Sequence, residues 1–207
     1  MKIMVVGATG RVGQLLVEQL RRAGHDVLAG SRQPQRGDAH AVLMDLHDQP
    51  EKLTEKLQGI AAVYFVAGSR GHDLLQTDLN GAVNVMKAAE MAGVHRFIQL
   101  SSAYDLQPER WTEGYLKDLT DYNVAKYFAD EWLIHRTTLD YTILQPGVLT
   151  TAPATGRISL DEETLGENSI TDVATVLARL IEAPRSIGRV IMMKSGQTPI
   201  DAALAQL

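Results

Sequence analysis

The chain has 207 residues, 45 % of them hydrophobic and 22 % charged, with a formal net charge of −5. That length and apolar content suffice for one sizeable core, and the acidic balance excludes a nucleic-acid binder, whose phosphates demand a basic face. With no cysteine, disulfides and thiolate metal sites are excluded as well. The six histidines show no zinc-ligand spacing, so no metal site is expected. Met1 to Val6 runs straight into a glycine turn, leaving no room for a signal peptide. No apolar run approaches the ~20 residues that span a bilayer. The expectation is a cytoplasmic protein that meets neither membrane nor nucleic acid.

In chain order, Lys2–Val6 reads as a compact strand ending at Gly7. Arg11 to Ala23 follows as a helix with Val12, Leu16 and Leu20 on one face, stopped by Gly24. Asp26–Gly30 and His40–Met44 are the next strands, and a charged helix runs from about Asp48 to Gln58. Ala61–Ala67 is a continuous apolar run, as a strand buried on both faces requires. A long helix from Leu74 to Met91 is closed by Gly93, and Arg96–Leu100 is a fifth strand ending at Ser101-Ser102. A helix over Asp118 to His135 and a strand over Tyr141–Gln145 lead to the breaker Pro146-Gly147. Residues 148–168 lack periodicity and read as a long loop on the substrate side, with room for a short hairpin. Asp172–Ala183 returns to helix, Arg189–Met193 to strand, and a short helix follows Pro199. Six or seven strands alternating with helices imply one α/β domain over residues 1–207, a doubly wound, mostly parallel Rossmann sheet.

Gly7-Ala8-Thr9-Gly10-Arg11-Val12-Gly13 is a GxxGxxG turn placed directly after a strand and opening a helix. In that context Gly7 makes the sharp turn, Gly10 admits a pyrophosphate to the backbone, and Gly13 packs helix on sheet. The helix N-terminus adds unpaired N–H groups and partial positive charge for the phosphates. A Walker loop would need a lysine where Gln14 stands. The bland alternative is a plain glycine turn between strand and helix. At the end of the second strand, where an NAD site places an acid, the chain has Gly30-Ser31-Arg32, with Arg36 close behind. A guanidinium offers paired donors to a phosphate. NADP(H) is therefore the expected cofactor ahead of NAD(H), with Arg11 and Arg32 on the 2′-phosphate, unless Arg32 is merely a solvated loop residue. Asp45-Leu46, past the third strand, would read the adenine edge.

With the glycine turn, Ala67-Gly68-Ser69, Asp78-Leu79-Asn80-Gly81, Leu100-Ser101-Ser102 and Tyr122-Asn123-Val124-Ala125-Lys126 in order, the chain resembles a short-chain dehydrogenase/reductase. The likeness is to the atypical single-domain branch, near NmrA-like and epimerase-like proteins. It extends through Leu144-Gln145-Pro146-Gly147 and Asp172-Val173-Ala174. It implies a Rossmann fold, a nicotinamide cofactor and a Ser–Tyr–Lys active site, with Thr9, Val12, Ser31, Ala67, Gly68 and Pro146 as further cofactor contacts. Two positions depart from it: Gln145 and Ile170 stand where this branch commonly has arginine. The extra C-terminal residues with which sugar-nucleotide epimerases hold substrate are also missing, so epimerase activity is not expected.

Tyr122 and Lys126 are four residues apart and share a helix face. Tyr115, Tyr127 and Tyr141 have no lysine at that spacing. Reducing a carbonyl by hydride leaves an alkoxide that must be protonated as it forms. A free tyrosine, pKa ~10, exchanges its proton poorly at neutral pH. An ammonium about 4 Å away, at an effective dielectric of ~20, favours the phenolate by ~4 kcal/mol before desolvation opposes it. A lowered Tyr122 pKa is thus expected, with Lys126 also bonding the nicotinamide ribose and Ser102, or failing it Ser101, holding the substrate oxygen. The alternative has Tyr122 packed and Lys126 solvated. Trp111, Tyr104 and Tyr115 either wall a substrate pocket or belong to the core. The sum is an NADP(H)-dependent oxidoreductase of a small carbonyl or quinone-like molecule, with a homo-oligomer compatible. The rival is a non-catalytic NADP(H) sensor of NmrA-like type, which needs no Tyr–Lys pair.

Overall fold

The computed structural model describes residues 1–160 and 164–207. Its strands are β1 (Lys2–Val6), β2 (Asp26–Ser31), β3 (Ala41–Leu43), β4 (Ala62–Phe65), β5 (Arg96–Leu100), β6 (Asp140–Pro146), β7 (Val148–Thr150), β8 (Arg157–Ser159), β9 (Glu167–Ser169), β10 (Arg189–Ser195) and β11 (Thr198–Pro199). The helices are α1 (Arg11–Arg22), α2 (Pro50–Lys56), α3 (Ala82–Met91), α4 (Thr120–Arg136), α5 (Ile170–Leu180) and α6 (Ile200–Leu204). Nine strands form one sheet in the order β11-β8-β10-β6-β5-β4-β1-β2-β3. From β3 to β10 every pairing is parallel, and only β8 and β11 at the edge are antiparallel. This is the doubly wound Rossmann order.

Both faces of the sheet are covered. In β1, Ile3 and Val5 pack toward Leu16 and Leu20 of α1 and Val173 and Leu177 of α5. Met4 and Val6 pack the other way, in one cluster with Leu53 of α2, Met86 of α3 and Leu133 of α4. A strand with alternate residues in two cores must be apolar throughout, which is why the inner strands read as continuous runs.

The segment expected to be a loop over 148–168 is more ordered than that. β7 and β9 pair in parallel as a separate ribbon, and β8 adds to the main sheet against β10. Three-residue strands are too short to show a period, and positions 161–163 of this segment lie outside the described residues. The long helix ending at Met91 opens as a π-helix over Leu74–Gly81. Among the described residues, no helix is long and apolar enough to cross a membrane.

Register aligns the strand ends. Val6 pairs with Gly30 and Phe65, Phe65 with Gln99, and Leu100 with Leu144. Gly7, Ser31, Val66 and Ser101 therefore leave the sheet at one edge, beside the point where strand order reverses at β1 and β4.

Candidate active site

A cleft of about 580 Å³ opens at that edge. Gly7 sits at φ +94°, and a Cβ there would lie 2.6 Å from the backbone of Ala67, so only glycine fits. The N–H groups of Gly7 and Ala8 both donate to the Gly30 carbonyl, at 2.9 and 3.1 Å. Thr9, Gly10, Arg11 and Val12 line the cleft. Gly10 caps α1 without a side-chain hydrogen bond, and no acid stands in the first turn, so the positive helix end opens on the cleft. Gly13 does not line it. A Cβ there would meet the Gly7 carbonyl oxygen at 2.2 Å, so Gly13 serves the packing of α1 under the turn.

Ser31, Arg32, Met44, Leu46, Ala67, Gly68 and Ser69 continue the wall. The hydroxyls of Ser31 and Ser69 are buried with no partner among the described residues. Two orphaned hydroxyls beside a helix N-terminus and two exposed arginines, Arg11 and Arg32, fit a ligand with phosphates and sugar hydroxyls. They fit a nicotinamide dinucleotide. Arg36 and Asp45 are not among the lining residues. The Asp45 carboxylate instead accepts the His47 N–H at 3.1 Å, which closes its own turn. Among the described residues Asp78 is the one acid in the wall, buried, and it accepts the Ser69 N–H at 2.9 Å.

At the other end stand Tyr122, Lys126 and Ser101. Both serines are buried, but Ser101 lines the wall and Ser102 does not, its carbonyl taking the Asp105 N–H. Lys126 is buried and donates to the Leu100 carbonyl at 3.0 Å. Its ammonium loses hydration there, but Tyr122, Asp130, Asp78 and Asp105 outweigh that and raise its pKa. The expected lowering of Tyr122 does not occur. Burial raises its pKa first, Lys126 opposes, and Asp78, Asp105 and Asp130 add to the rise. Both groups keep their protons at neutral pH.

Pro146 is buried and outside the wall, holding the Ala103 N–H on its carbonyl, and Leu149 of β7 lines the cleft instead. None of the three aromatics lines this cleft: Tyr104 is buried, and Tyr115 and Trp111 are half-buried. Tyr104 and Tyr115 cluster with Leu116 and Met192. The Trp111 Nε1 donates to the Tyr104 carbonyl, and its ring meets Tyr127 edge-on at 5.8 Å. Residues that sequence reasoning missed are Arg70 and His72 on the loop after β4, Asp78, and the buried acids Asp105 and Asp130. An aspartate inside the apolar pattern of α4 was a visible signal for Asp130, while Asp105 had none.

A family model described as NAD(P)H-binding matches residues 7–184. A solved structure of the oxidoreductase ylbE from Lactococcus lactis is 45 % identical, with TM-score 0.96, over 100 % of this chain and 96 % of that one. The "uncharacterized sugar epimerase YhfK" of Bacillus subtilis is 34 % identical over 100 % of both chains. The UPF0659 protein YMR090W of Saccharomyces cerevisiae is 30 % identical, over 100 % of this chain and 99 % of its own length.

Proposed function

This chain belongs to the NAD(P)H-binding family, and on that premise we propose that it is an NADPH-dependent oxidoreductase reducing a small carbonyl or quinone-like substrate. The observation that carries the reading is the Tyr122–Lys126 pair facing the same cleft as the glycine turn. The bound cofactor supplies the hydride. Thr9, Gly10, Arg11 and Val12 hold its phosphates at the α1 N-terminus, and Ser31 with Arg32 and Arg11 favours a 2′-phosphate over a bare hydroxyl. Ser101 positions the substrate oxygen. Tyr122, kept protonated by burial, gives its proton to that oxygen, and the Lys126 ammonium stabilises the phenolate left behind.

The epimerase name of the Bacillus subtilis relative suggests a second chemistry, in which the tyrosine must first remove a proton. Tyr122 starts protonated at neutral pH, the state a donor needs and a base lacks, which favours reduction. The test is NADPH oxidation across a panel of aldehydes, ketones and quinones. Tyr122→Phe should keep NADPH affinity and lose ~10²-fold or more in turnover. Wild-type turnover in that variant would refute the acid role. NADPH binding with no reactive substrate would replace the enzyme by the sensor.

A further inference from the structure

Beneath the cleft lies a buried pair of acids that the reaction as described leaves unused. Asp105 is 1 % exposed and Asp130 0 %. Asp130 stands on α4 one turn past Lys126, so Tyr122, Lys126 and Asp130 occupy one helix face at i, i+4 and i+8. The Asp105 and Asp130 carboxyls lie close enough for the charge on one to act on the other. Gln145 donates to Asp105 Oδ1 and Gln99 to Asp130 Oδ1. Asp130 Oδ2 has no amide or hydroxyl donor among the described residues. Two carboxylates cannot both stay ionised in contact and out of water. A proton between them removes the repulsion and satisfies the orphaned oxygen. Burial, then the neighbouring Asp130 charge, holds Asp105 well above the usual carboxylate range, while Ser101 and Lys126 oppose.

The pair is connected to the cleft. Ser101 lines the wall, and its hydroxyl lies 2.6 Å from Asp105 Oδ2. A hydroxyl accepts and donates at once, so it can hand a proton from an acid behind it to an oxygen in front. We propose that the Asp105–Asp130 pair stores one proton beneath the cleft and that Ser101 passes it out to restore Tyr122 after turnover. This rests on the reductase reading. Each turnover forms a C–H bond with the hydride and an O–H bond with the Tyr122 proton, leaving a phenolate. The Ser101 hydroxyl then gives its proton toward that phenolate, through the product hydroxyl, and takes one from Asp105. Tyr122 and Ser101 end neutral and the pair is left one proton short, a state its own repulsion makes transient, and one proton from water resets it. Asp105 and Asp130 are thus positioning residues that act through Ser101.

The test needs no substrate, so its failure is separable from that of the reductase reading. Infrared spectra of the purified protein at pH 7 should show a protonated-carboxyl C=O band that Asp105→Asn removes. Asp130→Asn serves as the second variant should the first not fold. On transfer to D2O the band should shift rapidly in the wild type. Ser101→Ala should slow that shift ~10-fold or more, and Ser101→Thr, which keeps the hydroxyl, should restore it. A protein without the band, or one whose exchange is the same in Ser101→Ala, overturns the proposal. Slow exchange in Ser101→Ala with recovery in Ser101→Thr supports it.

Discussion

Gly10 and Gly13 stand three residues apart in one motif, and the structure predicts opposite consequences for the same added methyl. Gly10 has φ −72° and ψ 167°, a backbone that alanine adopts freely. Its Cβ would have a single neighbour within 4 Å, the Gly7 carbonyl oxygen at 3.2 Å, on a residue that lines the cleft. That contact is tight and its oxygen is backbone, so Gly10→Ala should cost the free protein ~0.5–1 kcal/mol, about 1–4 °C at this chain length. At Gly13 the methyl would meet three backbone atoms, Gly7 O at 2.2 Å and Gly7 C and Ala8 Cα at 2.9 Å. None can swing aside, so the cost lies at the upper end of overpacking, ~3 kcal/mol or more, a fall of roughly 6–12 °C. NADPH at a hundred times its Kd should raise the wild-type midpoint by ~2.7 kcal/mol, or about 5–10 °C. Gly10→Ala should lose most of that rise, because its methyl occupies space that the pyrophosphate needs. Thermal melts with and without NADPH decide the matter. A wild-type NADPH shift in Gly10→Ala, or an unchanged free-protein midpoint in Gly13→Ala, would refute this division of labour.

Arg32→Ala should weaken NADPH on the order of tenfold and leave NADH almost unchanged, as measured by calorimetric titration; equal losses for both would remove the 2′-phosphate role. Lys126→Ala should lower both turnover and NADPH affinity, whereas Tyr122→Phe lowers turnover alone, a split that steady-state kinetics with a reactive substrate reads directly. Asp105 has a raised folded-state pKa, so its contribution to stability is complete below the unfolded value of ~3.9 and is lost as pH rises through the folded one. Within that window wild type should lose up to ~1.4 kcal/mol per pH unit relative to Asp105→Asn, and parallel urea-melt stabilities from pH 4 upward would contradict it. Gln145→Arg should remove the protonated-carboxyl band at pH 7 by pairing Asp105 with a cation, and a band that persists would count against that pairing.

Sequence alone made the scaffold legible for a physical reason. Strands buried on both faces must be apolar throughout, and the turn after β1 leaves no choice but glycine at position 7. The Tyr122–Lys126 pair was legible because a helix converts a spacing of four into a shared face. Other features depend on distances that sequence does not encode. Whether Ser101 or Ser102 meets the cleft turns on which alternate side chain faces out where β5 ends. The pairing of Asp105 with Asp130 joins residues that no local pattern relates. The expected fall in the Tyr122 pKa set one cation against desolvation and left out three carboxylates, and burial with those carboxylates prevails.

The two departures from the resembling family acquire a meaning once the structure places them. Ile170 is buried at the start of α5, in the core that covers β1, where an apolar side chain needs no partner. Gln145 is also buried, but its amide holds Asp105. An arginine there would bring a fixed positive charge against the Asp105 carboxyl and favour its ionised form. An amide donates the same kind of hydrogen bond without that charge, so it orients Asp105 and leaves its proton in place. Glutamine at 145 and the carboxyl pair at Asp105 and Asp130 are therefore two parts of one arrangement. A neutral donor on β6 is what lets an acid behind Ser101 remain protonated beside a charged lysine.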